Sequence, residues 1–131
     1  MSETTQARII QALNAYPELK LVVLFGSMTR GTETADSDLD LAVQADRPLS
    51  VEQKMGMTET LALEFNRPVD LIDLRTVGQP LLREIIAKGK RIRGSNGDRA
   101  RLIFRNIMDN EDFVPLQRRI LRERRRAWLN S

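Results

Sequence analysis

Asp38 and Asp40 sit one residue apart in "SDLDLAV", a stretch whose other positions alternate toward an apolar face through Leu39, Leu41 and Val43. On a strand, side chains two positions apart point the same way, about 6.6 Å from each other. Two carboxylates at that separation repel by roughly 2.5 kcal/mol at an effective dielectric of 20. Ser37, Leu39, Leu41 and Ala42 supply no positive charge to offset this. Either the pair faces open solvent on a bare sheet surface, or a divalent cation turns it into a ligand set, since oxygen is what Mg²⁺ takes.

Upstream, the apolar run "KLVVLFG" ends at Gly26-Ser27, with ten residues between Ser27 and Asp38. Glycine permits close backbone approach where a phosphate would lie. Ser27 and Thr29 bring hydroxyls, Arg30 brings a cation suited to a triphosphate, and Gly31 lets the chain turn back. Gly-Ser alone marks any turn. Joined to Asp-x-Asp on the following strand, it describes a phosphate cradle beside a carboxylate pair, which is a metal–nucleotide site. A third carboxylate is expected from a neighbouring strand, and "RPVDLIDL" offers Asp70 and Asp73 on opposite faces. Asp70 lies inside that strand and is the candidate. Asp73 stands at its end, where a solvated or helix-capping role suffices.

The elements that must hold these groups are legible in outline. Ser2 to Ala15 has a helical apolar side of Ile9, Ile10 and Leu13, stopped at Tyr16-Pro17. "KLVVLF" reads as a buried strand and "SDLDLAV" as a second, antiparallel to the first because the link is short. Ser50 and Gln53 form a capping box for a helix to about Phe65, which Gly56 weakens by ~1 kcal/mol relative to Ala. "PVDLIDL" is a third strand, and "QPLLREIIAKG" is a helix opened by Pro80 and closed by Gly89. "KRIRG" suits a short edge strand. From Asp98 a further helix carries Leu102, Ile103, Ile107 and Met108 on one side, and Pro115 interrupts or restarts it before "LQRRILRERRRAWL". The order predicts an α/β (α+β) domain with a small mixed sheet, flanking helices and a helical tail. Residues 1–97 form the core and 98–131 a basic tail packed on the core or on a partner, within one domain.

Composition narrows the chemistry. With 131 residues, one domain with a real core is expected. The chain has no cysteine and no histidine, which excludes disulfides, thiolate metal sites and any imidazole base or zinc ligand. No apolar run approaches the ~18 residues of a membrane span, and "MSETTQARII" lacks a secretory pattern, so a cytoplasmic protein without a membrane partner is expected. Residues 1–88 hold 9 Lys and Arg against 13 Asp and Glu, while residues 89–131 hold 12 against 5, so a head of net charge −4 precedes a tail of +7. Nine arginines lie between Arg99 and Arg126. They suit an acidic protein partner, with Trp128 as anchor or as core. Nucleic acid is the less favoured option, because Phe104, Phe113 and Trp128 interleave the arginines too sparsely for base stacking.

"GSMTRGTETADSDLD" resembles the Gly-Ser, ten-residue, Asp-x-Asp signature of the DNA polymerase β-like nucleotidyltransferase superfamily, and "RPVDLIDL" resembles its third-carboxylate strand. Within it the chain is similar to the minimal nucleotidyltransferases, specifically the MntA-type adenylyltransferase antitoxins paired with HepT-type HEPN toxins. "DNEDFVPLQRRILRERRRAWL" resembles the helical tail of that group. The resemblance implies two Mg²⁺ ions held by Asp38, Asp40 and Asp70, with ATP as substrate near Gly26, Ser27, Thr29 and Arg30. It implies transfer of AMP to a tyrosine hydroxyl of a HEPN-type RNase toxin, which is thereby inactivated. Two other functions stay open at this point: an antitoxin that neutralises by binding alone, and a nucleotidyltransferase with a small-molecule or RNA acceptor. About 40 residues after Gly94 leave little room for a second, acceptor-binding domain.

Overall fold

The computed structural model describes residues 3–26 and 37–109. Helix α1 (Glu3–Ala12) runs into a single 3₁₀ turn (Leu13–Ala15), followed by β1 (Leu21–Phe25), β2 (Leu39–Gln44), α2 (Val51–Phe65), β3 (Val69–Asp73), α3 (Leu81–Lys88), β4 (Lys90–Arg93) and α4 (Asn96–Asp109). The strands form one mixed sheet in the order β3-β2-β1-β4. β1 pairs antiparallel with both β2 and β4, while β2 and β3 run parallel. A parallel neighbour requires a crossover, and α2 is that crossover.

Both faces of the sheet are covered, so its central strands are buried on both sides. Against one face pack Ile9 and Leu13 of the N-terminal segment with Met57 and Leu61 of α2; the strands present Val22, Leu24, Leu39, Leu41, Val43 and Leu71 there. The opposite face presents Leu21, Val23 and Ala42 to Leu82 and Ile85 of α3 and Leu102 of α4. Period-two alternation decides which residue faces which layer.

The helix boundaries follow from local chemistry. The Ser50 hydroxyl accepts from the Gln53 amide, and the Gln53 side chain accepts in return from the Ser50 amide, closing the expected box. The helix continues through Gly56 to Asn66, which ends it in the left-handed conformation at φ 50° and ψ 46°. α4 starts at Asn96, two residues before the expected Asp98, because a second capping box precedes it: Ser95 Oγ accepts from the Asp98 amide at 3.0 Å and the Asp98 carboxylate accepts from the Ser95 amide at 3.1 Å. The Ser95 amide, the Ser95 hydroxyl donating at 2.9 Å and the Arg101 guanidinium lower the Asp98 carboxyl to about 2.

Along α4, Leu102 is buried, but Ile107 and Met108 are exposed together with Phe104. The apolar side expected of this helix therefore meets the sheet only in its first half. Two arginines of the basic region are used internally. Arg93 donates to the carbonyls of Leu13, Tyr16 and Leu19, and Arg105 donates to those of Leu74 and Val77. Residues 110–131, including Trp128 and six of the nine arginines, lie outside the described residues.

Candidate active site

Three elements bring the expected residues to one end of the sheet. β1 ends at Phe25, and Gly26 follows at φ +80°, a conformation that side chains other than glycine's disfavour. Phe25 pairs in register with Asp40, and Asp40 pairs in register with Asp70 on the parallel strand β3. Registered neighbours point to the same side, so Asp40 and Asp70 share a face, roughly 4.8 Å apart by strand spacing. It is the face of Ala42 and Ile72, at the end beyond those residues. Asp40 is half-buried and Asp70 exposed.

Gly26 lies directly against Asp40. A Cβ built on it would overlap the Asp40 carboxylate, 2.9 Å from its Cγ. The glycine thus answers two demands at once: a positive φ and room for a carboxylate. Asp38 falls outside the β-ladder, which begins at Leu39, whose amide donates to the Pro68 carbonyl at 2.8 Å. The strand expected over "SDLDLAV" is therefore shorter at its start, and the exposed Asp38 occupies the residue just before it. Ser27, Thr29 and Arg30 lie outside the described residues.

Asp73 is used differently from its expected solvated or capping role. It is buried, with 6% exposure, and its carboxylate accepts from the Leu49 amide at 2.8 Å and the Arg75 amide at 2.9 Å. It ties the segment after β2 to the turn after β3, at the opposite end of β3 from the Asp40–Asp70 pair. Arg67 is a residue the sequence reading passed over. Its guanidinium donates to the Ser37 carbonyl at 3.2 Å, immediately before Asp38. The available signal was an arginine heading the strand that carries Asp70.

Asp40 and Asp70 side by side repel by roughly 3.5 kcal/mol at a dielectric of 20. A donor set made only of carboxylate oxygens suits a hard divalent cation. Among the described residues, however, no three acidic side chains are gathered closely enough to enclose a metal ion. The residues fit such a cation in kind and in register, as an open set and not a closed cage.

The sequence pattern described as "Polymerase beta, Nucleotidyltransferase" matches residues 7–98, a span that holds Gly26, Asp38, Asp40 and Asp70. The chain belongs to this nucleotidyltransferase family. A nucleotide substrate and a divalent metal come with membership. Among relatives of this family, the protein adenylyltransferase MntA of Shewanella oneidensis is 33% identical over 99 residues, covering 75% of this chain and 71% of its own. A crystal structure of a toxin–antitoxin with AMP-PNP superposes with a TM-score of 0.73 at 28% identity, covering 95% of each chain. A structure of the tri-AMPylated HEPN toxin of Shewanella oneidensis in complex with its MNT antitoxin superposes with a TM-score of 0.70 at 26% identity, covering 99% of this chain and 97% of the other. Among the described residues no helix is long and apolar enough to cross a membrane.

Proposed function

We propose that this nucleotidyltransferase is the antitoxin of a toxin–antitoxin pair, and that it transfers AMP from ATP to a tyrosine hydroxyl of a HEPN-type RNase toxin in the cytoplasm, inactivating it. The observation that carries the reading is that Gly26 just after β1, Asp40 on β2 and Asp70 on β3 come together at one end of the sheet. Likeness to MntA supports the AMP donor, and likeness to the complex with a tri-AMPylated HEPN toxin supports the acceptor. In this reading the basic tail, 98–131, belongs to the same domain and contributes to holding the partner.

The reaction forms a bond from the tyrosine oxygen to the α-phosphorus and breaks the bond from that phosphorus to pyrophosphate. Asp38, Asp40 and Asp70 would hold two Mg²⁺ ions, which supply charge stabilisation to the attacking and leaving oxygens. The chain's own part is positional. Gly26 brings backbone close to the Asp40 carboxylate, and with Ser27, Thr29 and Arg30 it would form the cradle for the triphosphate. Asp70 stands on the edge strand β3 and is the most open of the registered pair, which suits the side from which the acceptor hydroxyl arrives. With no histidine in the chain, the hydroxyl proton goes to a carboxylate or to water.

The test incubates the protein with Mg²⁺, labelled ATP and the product of the neighbouring gene. Label is expected on the toxin, and Asp38→Asn with Asp40→Asn should remove it while the fold is retained. If that double variant still neutralises the toxin fully, protection comes from binding alone. Equal use of CTP or GTP would overturn the choice of ATP.

A further inference from the structure

We propose that Arg67 is a positioning residue for Asp38, acting through the backbone on either side of that carboxylate. The inference rests on the reading of Asp38 as a metal-holding group. Asp38 precedes the first residue of β2, so ladder hydrogen bonds do not by themselves fix its backbone. It is bracketed instead. The Ser37 carbonyl accepts from Arg67 Nη1 at 3.2 Å, and the Leu39 amide donates to the Pro68 carbonyl at 2.8 Å. Both partners belong to one dipeptide, Arg67-Pro68, which enters β3 just ahead of Asp70.

That dipeptide is itself set in place by neighbouring features. Asn66 turns the chain at the end of α2 with φ 50°, and Pro68 fixes its own φ while biasing Arg67 toward extended backbone. Asp38 and Asp70 are therefore referenced to the same short rigid segment, although 32 residues separate them in sequence. A guanidinium suits this task, because its planar fork loses less freedom per hydrogen bond than a flexible ammonium. Arg67 thus ties the backbone on the Ser37 side of Asp38, and Pro68 ties it on the Leu39 side. A carboxylate that wanders by about 1 Å is enough to lose a large factor in rate.

The experiment compares Arg67→Met and Arg67→Lys with the natural chain. Amide hydrogen exchange is followed at Leu39 and at Val43, and Mn²⁺ binding is followed by water-proton relaxation. Arg67→Met should exchange Leu39 at least tenfold faster with Val43 unchanged, and should weaken Mn²⁺ binding at least tenfold. Arg67→Lys, which keeps one donor, should recover both to within about threefold. Unchanged exchange at Leu39 in Arg67→Met overturns the proposal. So does Arg67→Lys behaving like Arg67→Met, or equal acceleration at Leu39 and Val43, which would mean general loosening of the fold. A natural chain that binds no Mn²⁺ and transfers no AMP would refute the metal-site reading instead. Exchange at Leu39 would still report whether Arg67 holds the backbone.

Discussion

Asp40 and Asp73 lie on neighbouring strands, carry the same group and meet opposite fates. Asp73 is buried and satisfied by two backbone amides, so it acts as a structural acceptor. Asp73→Asn presents an amide to one of those donors and should cost about 1–3 kcal/mol in urea unfolding, with AMP transfer per folded molecule unchanged. Asp40 faces Asp70 and lies against Gly26, an arrangement of like charges that suits a cation. Gly26→Ala meets both the positive φ and the Asp40 carboxylate. It should cost about 1–3 kcal/mol of stability, and by displacing Asp40 it should lower transfer about 100-fold or more. Comparing the two variants in one transfer assay separates a carboxylate that supports the fold from one that the glycine serves.

Among the elements, the caps set the boundaries. The Ser50–Gln53 box was legible because both residues and their spacing are visible in the sequence, and the structure closes both bonds. The box at Ser95–Asp98 has an aspartate where glutamate or glutamine is usual, so the pattern hides a start of α4 two residues ahead of Asp98. Its carboxyl is lowered from 3.8 to about 2 by the Ser95 bonds and then Arg101. A carboxyl lowered in the folded state stabilises above its unfolded value and loses that contribution as pH falls through the folded one. The stability difference between the natural chain and Asp98→Asn should therefore be constant above about pH 5 and shrink between pH 4 and pH 2. Urea titrations at stepped pH measure it. A difference that persisted unchanged at pH 2 would contradict the cap.

At the scale of the molecule, two helical layers clamp a sheet whose parallel β2–β3 pair lays the acidic residues side by side. The clamp leaves Val51, Met55 and Leu63 of α2 and Phe104 of α4 exposed, apolar surface of the kind that protein partners cover. In the proposed reading, Mg²⁺ and ATP bind only the folded state and therefore stabilise it. With Mg²⁺ and ATP at a hundred times the dissociation constant, unfolding should become harder by about 2.7 kcal/mol. A chelator should abolish the gain, as should Asp38→Asn with Asp40→Asn. Thermal melts with and without chelator test this directly.

The sequence alone determined the fold class, the antiparallel first strand pair, the α2 cap and the identity of the Gly-Ser and Asp-x-Asp groups. Those features are local: alternation, capping and motif spacing are properties of a few consecutive residues. The tertiary structure decided which partner each carboxylate has. Alternation places Asp70 and Asp73 on opposite faces but cannot say which face lies beside Asp40, because that depends on the β2–β3 register and on the α2 crossover that sets it. The density of arginine between Arg99 and Arg126 suggests a surface, yet Arg105 reaches carbonyls more than 25 residues away in sequence, and such pairings exist only once the chain has closed on itself. The same holds for Arg67 and Ser37, 30 residues apart: charge and spacing named the chemistry, and long-range packing chose its geometry.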